Sequence, residues 1–445
     1  MRPTLFSLAT QALLKPASAI SRDAAAQLGR LLPRLAVSLE PAKGDHTKSP
    51  DHLELPTELL QALAHEYGQE GAAALLARLG LTEARKLDWQ QVLRRELRAP
   101  DGSLGKLWKR LGGVHPQDKE DDASQQWHLD MCHARCSTPP GQADWRERGI
   151  RLGLIDTGYT EHPALGLPGD DSWVDVHAAR SFDGLSSQPG RDRMRGAYAG
   201  HGTSSASVIA GCDPAAKFYG VAPWVPLVPV RVGQGILLDQ RSYEFEAATR
   251  YLVDTAKVQV INVSLGTFLA QSAPEPIWRA VNHCYEHGVI LIAAAGNVPA
   301  RGWPAYPAAL PRAIAVAGVE RSGRPWIMSS SGEWVDFSAP AAGVRRAFAT
   351  PSPRPAYTAA FGGTTCAAAM TSGAAARWLY RHHEALKKYR APWQRIEGFR
   401  EAARQSAALN RPDNWNPDLG YGVGILDVEG LLDTPPPAAS TLQPG

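Results

Sequence analysis

Val258-Gln-Val-Ile-Asn-Val263 and Val289-Ile-Leu-Ile-Ala-Ala-Ala295 are two apolar runs separated by residues 275–287, which carry the spacing of an amphipathic helix. A strand, a helix and a second strand in that order require a crossover, so the two strands run parallel and are covered on both faces. Similar runs stand at Arg151-Leu-Gly-Leu-Ile155, Leu227-Val-Pro-Val-Arg-Val232 and Ala313-Ile-Ala-Val-Ala317, with helical stretches at 204–210 and 244–256 between them. The alternation predicts an α/β domain: a central parallel sheet with helices on both sides.

Outward from this unit the pattern changes. Residues 1–120 hold Leu and Ala at helical spacing, with Arg and Glu on the opposite faces, and predict a small all-α N-terminal domain. Residues 113–125 read as a polar linker, and the α/β domain extends over 126–432. Thr434-Pro-Pro-Pro-Ala-Ala opens a tail, 433–445, that is expected to be disordered because it offers little apolar surface to bury.

At 445 residues the chain can bury a large core, and its 44% hydrophobic and 20% charged content is that of a globular protein. A net charge of +3 is too small to argue for nucleic-acid or membrane partners, so neither is expected, and no run approaches the ~20 apolar residues of a membrane span. Five cysteines are an odd count and read as free thiols with at most one bridge. Cys132, His133 and Cys136 are spaced like metal ligands but lack a second pair, so no metal is assigned. The apolar start, Leu5-Phe-Ser-Leu-Ala-Thr-Gln, is interrupted by polar residues and followed by Lys15. It is a poor signal peptide, which favours a cytoplasmic over a secreted setting.

In parallel sheets the chemistry gathers at the carboxyl ends of the strands. Asp156 ends the first run in Ile155-Asp-Thr-Gly158, His201 stands in Gly200-His-Gly-Thr203 at the head of an apolar helix, and Asn297 closes Ala293-Ala-Ala-Gly-Asn297. Each has a plainer reading alone: a turn aspartate, a capping histidine, a turn asparagine. Phe361-Gly-Gly-Thr-Thr-Cys-Ala-Ala-Ala-Met370 adds a sharp glycine turn into a thin alanine helix, with the Thr365 hydroxyl near its N-terminus. Carboxylate, imidazole, hydroxyl and primary amide on four element ends are the ingredients of acyl transfer.

In their order these blocks resemble the subtilisin-like serine proteases, the subtilases. Gly220-Val-Ala-Pro223, Asn262-Val-Ser-Leu-Gly266, Tyr306-Pro307, Phe337-Ser-Ala-Pro340 and Gly420-Tyr-Gly-Val-Gly424 are similar to further landmarks of that family, and the likeness extends over residues 127–432. The resemblance implies that Asp156 orients His201, that His201 takes the proton of the nucleophile, and that Asn297 donates to the oxyanion. Ser264, Leu265 and Gly266 resemble the edge that pairs with an extended substrate. The departure is at the nucleophile: the family reads Gly-Thr-Ser where this chain reads Gly363-Thr364-Thr365, and the added methyl crowds the attacking oxygen. Family members often bind calcium in loops, but no loop here supplies a ligand pattern, so no cofactor is assigned.

Two functions from different classes follow. One is an endopeptidase acting on polypeptides through Asp156, His201 and Thr365; the other is a pseudo-protease, a binding or scaffolding module that keeps the groove and not the chemistry. The helical residues 1–120 are a candidate partner-binding segment, and the Arg-containing part of it, 85–112, reads as a solvated face rather than a nucleic-acid surface.

Overall fold

The computed structural model describes residues 126–445 apart from 137, 167–171, 185–187, 195–197, 268–271, 298–300, 303, 327, 350–355 and 360–361. The expected helical domain, the linker and the N-terminal apolar stretch lie outside the described residues. Arg301 apart, the described residues belong to a compact unit of Val114–Val298 and Gly302–Gly445.

Seven strands form the central sheet: β1 (Leu152–Asp156), β2 (Arg180–Ser181), β3 (Leu227–Arg231), β4 (Val260–Val263), β5 (Ile290–Ala294), β6 (Ile314–Val319) and β7 (Phe337–Pro340). Their order is β2-β3-β1-β4-β5-β6-β7 and every pairing is parallel. Alternate side chains enter different cores, as the pleat requires. Ile290 and Ile292 of β5 face one cluster, with Ile209 and Phe399, while Leu291 and Ala293 face the other, with Phe245 and Ile277.

Five helices cover the faces: α1 (His201–Ala210), α2 (Ser242–Arg250), α3 (Glu275–Glu286), α4 (Thr364–Arg381) and α5 (Trp393–Leu409). The alanines of α4, Ala367 to Ala369 and Ala374 to Ala376, are fully buried, and this thin helix lies across β4 to β7. A bulkier surface would hold α4 away from the sheet and lift its N-terminus off the strand ends.

β1 lies inside the sheet, third of seven, because the chain adds β3 on one side of it and β4 on the other. That reversal opens a crevice at the carboxyl ends of β1 and its neighbours. Asp156, the last residue of β1, is register partner to Arg231, the last of β3.

The structure corrects several expectations. The helix expected at 204–210 begins at His201. The stretch 244–256 is not one α-helix: α2 ends at Arg250 and a π-helical turn, Tyr251–Thr255, follows, closed by the Ala256 N–H on the Tyr251 carbonyl at 2.9 Å. The tail expected to be disordered is tied down instead. Tyr389 Oη and Gln394 Nε2 donate to the carbonyls of Pro437 and Ala439, the Gly445 N–H donates to Tyr285 Oη, and Leu442 is buried. Prolines bar a helix there but leave their carbonyls open to side-chain donors. All five cysteines are free, and His133 pairs with Asp427 rather than with Cys132 or Cys136. No described helix is long and apolar enough to cross a membrane.

Candidate active site

Three of the sequence-predicted residues come together at the crevice. Asp156 is fully buried, and its Oδ1 accepts from the Thr157 N–H at 2.7 Å while Oδ2 accepts from Ser205 Oγ at 3.0 Å. His201 Nδ1 lies 2.6 Å from Asp156 Oδ1, and its Nε2 lies 3.3 Å from Thr365 Oγ1. A carboxylate can only accept, so the Nδ1 proton donates to Asp156 and the Nε2 lone pair faces the Thr365 hydroxyl. The arrangement can draw a proton from that hydroxyl and return it elsewhere.

The local fold explains the spacing. A Cβ at Gly202 would fall 1.9 Å from the Gly158 carbonyl oxygen, so any other residue after His201 would push α1 away from β1. Ser205 stands one helical turn after His201, donates also to the His201 carbonyl at 3.1 Å, and thereby links α1 to Asp156.

Asn297 and α4 meet just beyond β5. Asn297 Oδ1 accepts from the Thr364 N–H at 2.9 Å and from Thr364 Oγ1 at 2.7 Å, and Thr364 Oγ1 accepts from the Gly296 N–H at 3.2 Å. With its oxygen held by Thr364, the amide presents Nδ2 on its other side, against Gly363. A Cβ at Gly363 would come within 3.0 Å of that nitrogen. The Thr365 N–H lies in the first turn of α4, where no i−4 helical carbonyl exists for it. These two donors are of the kind that stabilises an oxyanion. Cys366, the next residue, is buried, and burial pushes its thiol above the ordinary range, so it is no substitute nucleophile.

The polar stretch 181–195 is anchored where it is described. Arg231, wholly buried, donates through Nε to Asp183 at 2.8 Å and through Nη1 to the Arg191 carbonyl at 3.2 Å. Asp192 then reaches the site: its Oδ2 accepts from Thr157 Oγ1 at 2.7 Å and from the Gly200 N–H at 2.9 Å. Thr157 Oγ1 in turn accepts from the Gly202 N–H at 3.2 Å. One carboxylate thus ties the residue after Asp156 to the residue before His201.

The Ser264 to Gly266 segment lies beside α4, with Ser264 Oγ 3.4 Å from the Thr365 carbonyl oxygen. Leu265 is buried. Both backbone groups of Gly266 are engaged: its N–H donates to the Ile236 carbonyl and its C=O accepts from the Leu238 N–H, each at 3.0 Å.

Asp192, Ser205 and Thr364 were not singled out from the sequence. Ser205 carried a signal, being one turn from His201 on the same helix.

Comparison with known proteins agrees with the geometry. The model of the subtilase family matches residues 147–422, more than half of the chain. The chain belongs to the subtilase family. It is 28% identical over 285 residues to subtilisin Savinase of Lederbergia lenta, covering 63% of this chain and 90% of that protein. It is 27% identical over 306 residues to the minor extracellular protease Epr of Bacillus subtilis, covering 68% of this chain but 41% of Epr. Against the thermostable alkaline protease of Halalkalibacterium halodurans it spans half of that protein's length, at 30% identity over 203 residues. Among solved structures, MycP1 with its N-terminal propeptide removed aligns with a TM-score of 0.53 at 20% identity, covering 71% of this chain and 99% of that one. The subtilase fold is common to both.

Proposed function

We propose that the chain is a subtilisin-like endopeptidase in which the Thr365 hydroxyl attacks the scissile carbonyl. The hydrogen-bonded line from buried Asp156 through His201 to Thr365 carries the reading. His201 Nε2 takes the proton as the Thr365 Oγ1–carbon bond forms and delivers it to the leaving amine; Asp156 holds the ring and stabilises its charged form. Asn297 Nδ2 and the Thr365 N–H receive the oxyanion. Water then repeats the cycle against the acyl-enzyme, and His201 returns the proton to Thr365.

A second reading, the pseudo-protease, is favoured by two observations. The Thr365 methyl crowds the attack, and Gly266, offered to an extended substrate, is bonded to the chain's own Ile236 and Leu238. Hydrolysis of an unfolded protein by the wild type, Thr365→Ser and Thr365→Ala separates the two. Activity in the wild type that is lost in Thr365→Ala supports the enzyme; inert wild type and serine variants support the binding module. Residues 1–120 are proposed as a partner-binding or regulatory segment. Unchanged activity and partner profile after their deletion would refute this.

A further inference from the structure

Among the described residues, one cluster of His, Cys, Asp and Glu side chains brings three ligand atoms within 4.8 Å of one another: Asp254, His283 and His287. It lies apart from the crevice. α3 runs back across the sheet, and its C-terminal turn precedes β5, so the cluster is at the amino ends of the strands. Asp254 comes from the π-helical turn after α2.

We propose that these three side chains form a binding site for a divalent transition-metal ion of the zinc or nickel class, clipping the end of α2 to the end of α3. His283 and His287 are one helical turn apart, on one face, with ring centroids 4.2 Å apart. His287 Nδ1 lies 2.8 Å from the His283 carbonyl oxygen, which can only accept, so Nδ1 carries the proton and the Nε2 lone pair points outward. A ligating imidazole is commonly fixed in this way, by giving its other N–H to a carbonyl. Asp254 Oδ1 is 2.8 Å from His283 Nε2.

Metal–ligand distances of ~2.0–2.2 Å at tetrahedral angles put two ligands of one ion about 3.3–3.6 Å apart, so ligand atoms now within 4.8 Å of one another must close by up to about 1.5 Å. Asp254 and His287 are exposed and have rotamer freedom for it. Two imidazoles and one carboxylate suit zinc, nickel or copper; calcium and magnesium prefer all-oxygen shells. One coordination position stays with water.

The groups facing His283 set the proton balance. Arg250 Nη1, 3.3 Å from His283 Nδ1, can only donate, so in the metal-free form the His283 proton sits on Nε2 and bonds Asp254. On binding, that proton leaves Nε2 for Nδ1 by way of solvent, the metal takes the Nε2 lone pair, and Arg250 turns to Glu246, to which it already donates at 3.2 Å.

Calorimetric titration of the full chain with zinc or nickel ions, together with thermal unfolding, tests the site. We expect binding with a Kd on the order of micromolar and, at a hundredfold excess of metal, a rise in Tm of several degrees. His287→Ala removes an exposed ligand without disturbing the Asp254–His283 bond, and should weaken binding at least tenfold and abolish the rise. Copper bound to the wild type should give the electron-spin signature of two coordinating imidazoles, reduced to one in His287→Ala. Equal binding by wild type and His287→Ala would place the metal on other histidines or thiols and overturn the proposal, as would no binding at millimolar metal.

Discussion

Asn297 turns its carbonyl oxygen into Thr364, accepting from that residue's N–H at 2.9 Å and its hydroxyl at 2.7 Å. The side chain before Thr365 therefore sets which end of the Asn297 amide faces the crevice. Thr364→Val keeps the shape and removes the hydroxyl bond. In the enzyme reading it should lower kcat roughly tenfold, against about 10²–10³-fold for Asn297→Ala. Because the two act as one unit, the double variant should be little worse than Asn297→Ala. Additive losses in kcat/KM on a peptide substrate would sever this link.

Gly266 offers a second expectation. Its N–H and C=O are bonded to Ile236 and Leu238, so a peptide pairing along Ser264 to Gly266 must first displace that segment. Lengthening a substrate on its amino side, past the residue that reaches Gly266, should then improve kcat/KM less than about threefold. Each new bond replaces an existing one and adds little net free energy. An improvement of a hundredfold would mean that the segment yields freely.

Which parts of this site were legible in the sequence follows from distance along the chain. Asp156, His201, Asn297 and Thr365 each end an apolar run or open a helix, and short-range pattern locates such positions. Asp192 supports the site across 35 residues from Thr157, inside a stretch whose Gly and Arg content looks like any surface loop. Thr364 was visible as a neighbour of Thr365 but not as a partner of Asn297, 67 residues away. β2 escaped because Arg180 and Ser181 have no apolar alternation; only β3, already in place, makes them a strand. The tail misled because its composition lacks apolar surface, whereas its order comes from donors on Tyr389 and α5 and from the Tyr285 hydroxyl of α3, which accepts from Gly445, none of which composition can disclose.

Stability should fall with acid through His128. Burial, reinforced by Arg135, holds this imidazole down to about 3 from its ordinary 6.5. Below pH ~6.5 the unfolded chain therefore binds a proton that the folded chain refuses. The stabilisation is present above pH ~6.5 and is lost as pH falls toward 3, at up to about 1.4 kcal/mol per pH unit. His162 and His382 are also lowered by burial and act in the same direction. Urea unfolding between pH 7 and pH 4 should show the slope, and His128→Gln should flatten it. An equal slope in the variant would exclude His128 as a source.

The proposed nucleophile gives the sharpest expectation. Thr365 Oγ1 stands 3.3 Å from His201 Nε2, at the long end of hydrogen-bond reach. The carbon bearing that oxygen also carries a methyl, which limits χ1 and occupies space that an incoming carbonyl must enter. A misplacement of about 1 Å costs roughly a hundredfold in rate, so Thr365→Ser should raise kcat by about ten- to a hundredfold with little change in KM. Thr365→Ala should leave only the residual acceleration from oxyanion donors and binding, about 10³–10⁴-fold over water. His201→Ala should fall to a similar level, and the double variant scarcely further, because hydroxyl and imidazole act together. A serine-directed phosphonate should label the serine variant faster than the wild type and leave Thr365→Ala unlabelled. If Thr365→Ser is no faster than the wild type, the methyl is not the obstruction. If Thr365→Ala retains wild-type activity, the attacking group lies elsewhere and the assignment of Thr365 fails.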